Sequence, residues 1–251
     1  MENINKTKIN TAALRFFNER TELTRELIEE GLVFLIDKPL HWTSFDVVNK
    51  LRYALRGKFG IKKLKVGHAG TLDPLADGLI IVCCGKYTKI IDNLLNEHKS
   101  YTAIIKLGAV TATYDAEAAE ENILKTDHLT VEDVNKALED FKGKIQQVPP
   151  IYSAIKISGK SAYELARRGK DVILSPRTVE ILNLEVISFD NPYLTLITEV
   201  SKGTYIRSLA HDIGSALNVG GYLVKLRRES IGCFKVDQGF HLERVLSLIG
   251  N

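Results

Sequence analysis

The sequence predicts an α+β protein, and three observations carry that prediction. Segments of strand and helix character interleave without the steady strand–helix–strand rhythm of a doubly wound sheet. Lys99 to Leu107 alternates in the manner of a β-strand. The run Gly78-Leu-Ile-Ile-Val-Cys-Cys-Gly85 is continuously apolar between glycines, as in a buried strand.

Taken in order, Ala12 to Glu30 has helical composition, with Leu14, Phe17, Leu23 and Leu27 near helical spacing and Gly31 as a stop. It predicts an N-terminal helical extension over residues 1–30, ahead of a single domain from 31 to 251. Leu32 to Ile36 is a short apolar strand, halted by Asp37-Lys38-Pro39. Ser44 is placed to cap a helix from Phe45 to about Leu55, because its hydroxyl satisfies an orphan backbone N–H. Thr130 to Phe141 reads as an amphipathic helix with a start resembling a capping box. Residues 146–177 are irregular, with Pro149-Pro150 among them. Strands follow over Val179–Ser188 and Tyr193–Val200, and Ser201 to Arg207 opens a helix running to about Leu217.

With 251 residues, 45% hydrophobic and 26% charged, the chain has the make-up of a soluble globular protein able to bury one substantial core. No apolar run approaches the roughly 18 residues of a membrane span. Met1 to Asn10 lacks the apolar stretch of a secretory signal, so the expected location is the cytoplasm, with no membrane partner. The three cysteines make no disulfide framework, and Cys83 and Cys84 read as small core residues. Net charge is only +3, but between Val47 and Leu72 stand Lys50, Arg52, Arg56, Lys58, Lys62, Lys63 and Lys65 without one acidic residue. Lys225, Arg227 and Arg228 form a second cluster. Such clusters occur where phosphates bind and equally on solvated faces; charge alone leaves both open.

Several chemistries lack their motifs. There is no Gly-x-x-x-x-Gly-Lys-Ser/Thr phosphate loop, no Gly-x-Gly-x-x-Gly, no Gly-x-Ser-x-Gly and no His-Glu-x-x-His. The six histidines have no metal-ligand spacing. His211 and Asp212, neighbours on a helix, point about 100° apart and make no ready dyad. The expectation is catalysis by side chains alone, without metal or cofactor.

The stretch Gly67-His-Ala-Gly-Thr-Leu-Asp-Pro-Leu-Ala-Asp-Gly78 sets three glycines around Asp73, which precedes Pro74. Proline biases Asp73 towards an extended backbone, and the glycines permit unusual dihedrals and close approach of a ligand. An apolar strand directly after it would anchor the loop rigidly. Asp-Pro is also common in plain turns, and local physics does not choose between these readings.

Here the sequence resembles a known family. Gly67-His-Ala-Gly-Thr-Leu-Asp-Pro-Leu-Ala76 is similar to the catalytic motif of the TruB-type bacterial tRNA pseudouridine-55 synthases. Other motifs stand in the family's order: Leu35-Ile-Asp-Lys-Pro39 with Trp42-Thr-Ser44, Lys99-Ser-Tyr101, Gln147-Val-Pro-Pro-Ile-Tyr-Ser-Ala-Ile-Lys156, Gly159-Lys160, Tyr163-Glu-Leu-Ala-Arg-Arg-Gly169, Ser201-Lys202-Gly-Thr-Tyr-Ile-Arg207 and Leu226-Arg-Arg228. The resemblance covers residues 31–235. It implies the pseudouridine-synthase fold, with a central mixed, mostly antiparallel sheet flanked by helices.

It also implies roles. Asp73 matches the catalytic aspartate, which either attacks the ribose C1′ or removes a C2′ proton. Arg207 matches the arginine paired with it, a guanidinium that would hold the aspartate ionised. Tyr101 matches the tyrosine that stacks on the target base, where stacking is worth about 1–3 kcal/mol per base. His68 resembles the residue that fills the space left by a flipped uridine. Tyr205 and Leu226, with Lys202 nearby, would line the uracil pocket. Lys38 and Pro39 look supportive. Residues 147–177 match a thumb-like insertion thought to fold against the RNA stem-loop, mobile without RNA. Lys156, Lys160, Arg167, Arg168 and Lys170 there, with Lys65 and Arg228 elsewhere, are the expected RNA contacts.

Two departures stand out. Ala112 and Ala118 replace an acidic residue and a glycine usual in the family, while Asp115 is retained. After Arg228 about twenty residues remain, too few for the C-terminal RNA-binding module of PUA type that many relatives carry. The implied function is isomerisation of a uridine in the tRNA T-loop by a monomer that binds the T-stem-loop. A tRNA-folding chaperone with incidental catalysis is the alternative. The guide-RNA-dependent archaeal and eukaryotic relatives, which rely on the missing module, are a third reading.

Overall fold

The computed structural model of the chain describes residues 14–153, 155–157, 159–168 and 172–250. In chain order the elements are α1 (Arg25–Glu30), β1 (Leu32–Lys38), α2 (Ser44–Phe59), β2 (Val66–His68), β3 (Ala76–Cys84), α3 (Ile91–Leu95), β4 (Lys99–Leu107), β5 (Val110–Thr111) and β6 (Glu120–Glu121). They continue with α4 (Val131–Glu139), β7 (Gly143–Gln147), β8 (Lys156–Ile157), β9 (Lys160–Ser161), α5 (Ala162–Arg167), β10 (Arg177–Asp190), β11 (Tyr193–Val200), α6 (Ile206–Ala216), β12 (Gly221–Ile231), β13 (Phe234–Lys235), β14 (Phe240–His241) and α7 (Leu242–Gly250). Two compact units are present: the described residues up to Lys99 together with those from Arg227 onward, and Ser100–Leu226.

In the first unit β1 is the organising strand. It pairs antiparallel with β3 from Leu32↔Cys84 to Lys38↔Gly78 and parallel with β14, so the sheet is mixed. β3 is buried along both faces. Ile80, Val82 and Cys84 join a core with α2 and α7, while Leu79, Ile81 and Cys83 join one with Leu94, Ile231 and Phe234. Both adjacent cysteines are therefore free thiols whose pKa burial pushes up to about 12, and they serve as small core residues.

The helix expected over 12–30 shrinks to α1, capped by Thr24; Ala12 lies outside the described residues. The cause is local. Asn18 Oδ1 accepts from Arg20 N–H and Thr21 Oγ1 accepts from Asn18 N–H, an Asx-type turn that competes with helix. The preceding residues run extended instead, with Phe16 bridged to Val33 and Phe17 stacked on Phe34. The cap of α2 also moves by one residue: Thr43 caps it in a reciprocal box with Asp46, and Gly60 ends it in the left-handed region.

In the second unit β4 alternates buried and part-buried residues as expected. β10 pairs antiparallel with β11 on one side and β7 on the other. Thr130 and Asp133 form the predicted capping box of α4, which packs against α6 and β10. Arg177 pairs with Gln147. The segment between them thus leaves and returns at one rung of the sheet edge. Residues 221–231 and 234–250, for which the sequence pattern announces no element, form β12 to β14 and α7.

Candidate active site

The glycine-rich stretch in the first unit opens as a strand. β2 pairs with β3 (Gly67↔Cys83, His68↔Val82), and Ala69 N–H donates to Ile81 C=O at 2.9 Å. The chain then swings out and turns at Asp73, whose C=O accepts from Ala76 N–H at 3.0 Å. Asp73 is half-buried.

Contacts far apart in sequence fasten this turn. The buried Ser44 hydroxyl accepts from Leu72 N–H at 2.8 Å and donates to Leu72 C=O at 3.2 Å. His41 N–H donates to Pro74 C=O at 2.8 Å. Arg228 is 1% exposed. Its Nε donates to Leu79 C=O at 2.7 Å and its Nη2 to Gly70 C=O at 3.1 Å, with Nη1 3.5 Å from Thr71 C=O. The next residue back, on the opposite face of β12, makes a second clamp. Arg227 donates to both carboxylate oxygens of Asp37 (3.1 and 2.8 Å) and to Asp77 (3.0 Å). Gly78, at φ +99°, lies so close to β12 that a Cβ would sit 2.3 Å from Arg228 C=O. Only glycine satisfies both conditions.

The expected role of Arg228 as an RNA contact is therefore corrected. A guanidinium buried on backbone carbonyls does not reach phosphates; it positions the loop. Lys38 is likewise fully buried, its ammonium donating to Trp42 C=O at 2.6 Å and Pro39 C=O at 3.0 Å. Burial brings its pKa down to about 8, against the pull of Asp77 and Asp73. It supports the Pro39–Trp42 turn. His68 is half-buried, with Nδ1 enclosed and unpartnered. Burial lowers its pKa, the nearby Arg228 adds to that, and a hydrogen bond with the Gly70 backbone opposes it. A neutral imidazole results at pH 7. Lys65 is exposed.

In the second unit the start of α6 gathers the other candidates. Tyr205 stands at its N-terminal boundary and exchanges two hydrogen bonds with buried Gln147: Tyr205 N–H to Oε1 at 2.8 Å, and Nε2 to Tyr205 C=O at 3.1 Å. Ser208 Oγ donates to Val148 C=O at 2.8 Å. Arg207, 7% exposed, donates to Thr113 C=O (3.2 Å) and Tyr152 C=O (3.0 Å) and lies 3.4 Å from Asp115 Oδ2. Asp115 also accepts from Glu117 N–H at 3.0 Å. Tyr101 is a buried residue of β4, Leu226 a part-buried residue of β12, and Lys202 is exposed in the turn before α6. Lys156 and Arg168 are exposed. The side chains of Lys160 and Arg167, and all of Lys170, lie outside the described residues. His211 stacks on Tyr114 at 4.0 Å rather than pairing with Asp212.

Sequence reasoning missed Ser44 as a loop clamp, Arg227 with Asp77, and Asp115 as a partner of Arg207. One signal was available: consecutive arginines on a strand must face opposite ways and so serve two sites. Among the described residues no His, Cys, Asp or Glu group is arranged to hold a metal ion, and no helix is long and apolar enough to cross a membrane.

Comparison with known proteins accords with this architecture. Residues 56–206 match the TruB family pseudouridylate synthase N-terminal domain, and residues 207–250 match the tRNA pseudouridylate synthase B C-terminal domain. The class these define is that of the pseudouridylate synthases. A protein named tRNA pseudouridine synthase B from Phocaeicola vulgatus is 47% identical over 215 residues, covering 86% of this chain and 92% of the relative. Another so named, from Parabacteroides distasonis, is 48% identical over 215 residues with the same coverage. Among solved structures, the crystal structure of a Cbf5-Nop10-Gar1 complex matches with a TM-score of 0.68 at 28% identity, over 92% of this chain and 58% of that one. The chain belongs to the TruB family.

Proposed function

We propose that this chain isomerises one uridine of the tRNA T-loop, expected at position 55, to pseudouridine, with Asp73 as the essential carboxylate. The observation that carries the reading is the fastening of one turn. Backbone groups of Gly70, Leu72, Pro74, Ala76 and Leu79 are all engaged around a half-buried aspartate. Membership of the TruB family and relatives named tRNA pseudouridine synthase B support it. Preorganisation of this kind holds a reacting group at its target and lowers the barrier through orientation.

In the reaction the N1–C1′ bond breaks and a C5–C1′ bond forms. C5 loses its proton and N1 gains one, so neither redox partner nor cofactor is needed. Asp73 acts at the ribose, as nucleophile at C1′ or base at C2′. The match to the family's motifs supports assigning Arg207 to keep that carboxylate charged, Tyr101 to stack on the base, and Tyr205, Leu226 and Lys202 to border the uracil. The neutral, enclosed His68 suits a ring that occupies the place of the extruded nucleoside. Lys65 and the basic residues of 147–177 hold the T-stem-loop of tRNA. The enzyme works as a cytoplasmic monomer.

The test is incubation with an unmodified tRNA transcript and mapping of pseudouridine at single-nucleotide resolution. Wild type should give product at the T-loop uridine. Asp73→Asn should give none while retaining tRNA affinity within about threefold. Product elsewhere, or an active Asp73→Asn enzyme, would refute the assignment.

A further inference from the structure

The outer face of α2 takes no part in that chemistry, yet it has the make-up of a ligand surface. Asp46, Asn49, Lys50, Tyr53, Arg56 and Gly57 recur at helical spacing and form one stripe. Two shallow grooves meet along it. One, of about 340 Å³, is lined by His41, Trp42, Asp46, Asn49, Lys50 and Tyr53. The other, of about 390 Å³, is lined by Tyr53, Arg56, Gly57, Gly60, Ile61 and Lys62. Tyr53 belongs to both and is 68% exposed.

Three features argue for a polyanion carrying flat rings. Lys50, Lys58, Lys62 and Lys63 are exposed, and no acidic residue falls between Val47 and Leu72. The single carboxylate on the lining, Asp46, is committed to the helix cap through Thr43. Gly57 sits inside the helix, and a Cβ added there would meet nothing within 4 Å. Glycine is unfavourable at such a position, and packing gives no reason for it; its effect is to leave the second groove open beside Tyr53. Aromatic rings between lysines are the combination that stacks bases and meets phosphates. The stripe begins at His41, whose N–H is bonded to Pro74 of the catalytic turn. It then runs the length of a 16-residue helix, about 24 Å.

We propose that this face of α2 is a second RNA-binding surface, which holds tRNA outside the T-arm by stacking an unpaired base on Tyr53 and contacting phosphates through Lys50 and Lys62. The inference rests on the reading of the chain as a tRNA-modifying enzyme. Its test is binding, read by fluorescence anisotropy without turnover, so failure of the activity would show in the product map and not here.

Unmodified full-length tRNA and an isolated T-arm hairpin are compared. Tyr53→Ala should weaken binding of the full tRNA about tenfold. Lys50→Ala with Lys62→Ala should flatten its salt dependence by about 1.5 in log–log slope. Both should leave hairpin affinity within about twofold. Gly57→Gln, which favours the helix yet fills the groove, should raise thermal stability while weakening the full tRNA about fivefold. Unchanged affinity and slope for full-length tRNA, or equal losses on tRNA and hairpin, would overturn the proposal.

Discussion

Two buried arginines, one in each unit, do similar work with different results. Arg228 forks onto carbonyls of one continuous stretch, Gly70 and Thr71 of the loop and Leu79 of the β3 strand that follows it, and ties that stretch to β12. Arg207 forks onto two separate segments, Thr113 of one loop and Tyr152 at the root of the 147–177 insertion, with Asp115 alongside. The first arrangement fixes one backbone. The second joins two backbones at the start of a helix, so displacement of either segment is felt at Arg207. A guanidinium does both because its five donors lie in a fixed plane. The difference lies in what the acceptors belong to.

The comparison is broken most severely at Gly78. Gly78→Ala would drive a Cβ into the backbone of Arg228, 2.3 Å from its oxygen and 2.6 Å from its nitrogen, at a φ of +99°. Neither atom belongs to a flexible side chain, so strain and clash add. A loss of more than about 3 kcal/mol is expected in urea unfolding. A loss under about 1 kcal/mol would mean that β12 and the loop are not so tightly joined.

Next in size is the exchange of fork for point charge. Arg228→Lys and Arg207→Lys each keep the charge and lose the planar fan of donors, leaving buried carbonyls unpaired. Each should destabilise by about 2 kcal/mol. The pair sharpens the comparison through protection rather than stability. Arg228→Lys should raise amide exchange at Leu72 and Ala76 alone. Arg207→Lys should raise it both around Thr113 and around Tyr152. Identical exchange maps for the two variants would abolish the distinction.

How much of this was legible beforehand follows from the range of the contacts involved. Asp73, Arg207, Tyr101, His68 and Tyr205 stand in contiguous motifs, so resemblance to the family's motifs singled them out as candidates where local physics alone did not. β1, β3, β4, β10, β11 and the box of α4 were legible because periodicity and caps are local. Nothing local says that Ser44 grips Leu72, that Arg228 is spent on Gly70, or that Arg227 joins Asp37 to Asp77. Those pairs are 28, 158, 190 and 150 residues apart. A run of basic residues looks the same whether its guanidiniums face phosphates or carbonyls, hence the misplaced expectation for Arg228. The N-terminal helix failed for the opposite reason: its apolar spacing was legible, but the Asx turn at Asn18 and the demand of β1 for Phe16 and Phe17 outweighed it.

A smaller effect tests the root of the insertion. Gln147→Ala removes both hydrogen bonds that seat Tyr205, from its N–H and to its C=O, while the helical bond from Leu209 N–H to that C=O remains. About 1–2 kcal/mol should be lost. Because Gln147 anchors Tyr205 and not the Asp73 loop, KM for tRNA and kcat should both worsen, while exchange in residues 69–79 stays as in wild type. Faster exchange there would show the two regions to be one cooperative element.

The smallest effect concerns charge. Asp212, on α6 one residue past the His211–Tyr114 stack, has its carboxyl pushed up to about 6 by burial, from an ordinary 3.8. The folded state therefore holds that proton between about pH 4 and 6, where the unfolded chain has already released it. By linkage, stability from this group falls as pH rises across that window, and the full cost of the buried anion is present above about pH 6. The group is only half-buried, so solvent screening reduces the cost to about 1–2 kcal/mol. Asp212→Asn should accordingly stabilise the protein by that amount at about pH 7.5 and by almost nothing at about pH 4. Urea midpoints of the two proteins would converge on acidification, and parallel curves would show that Asp212 carries no such charge strain.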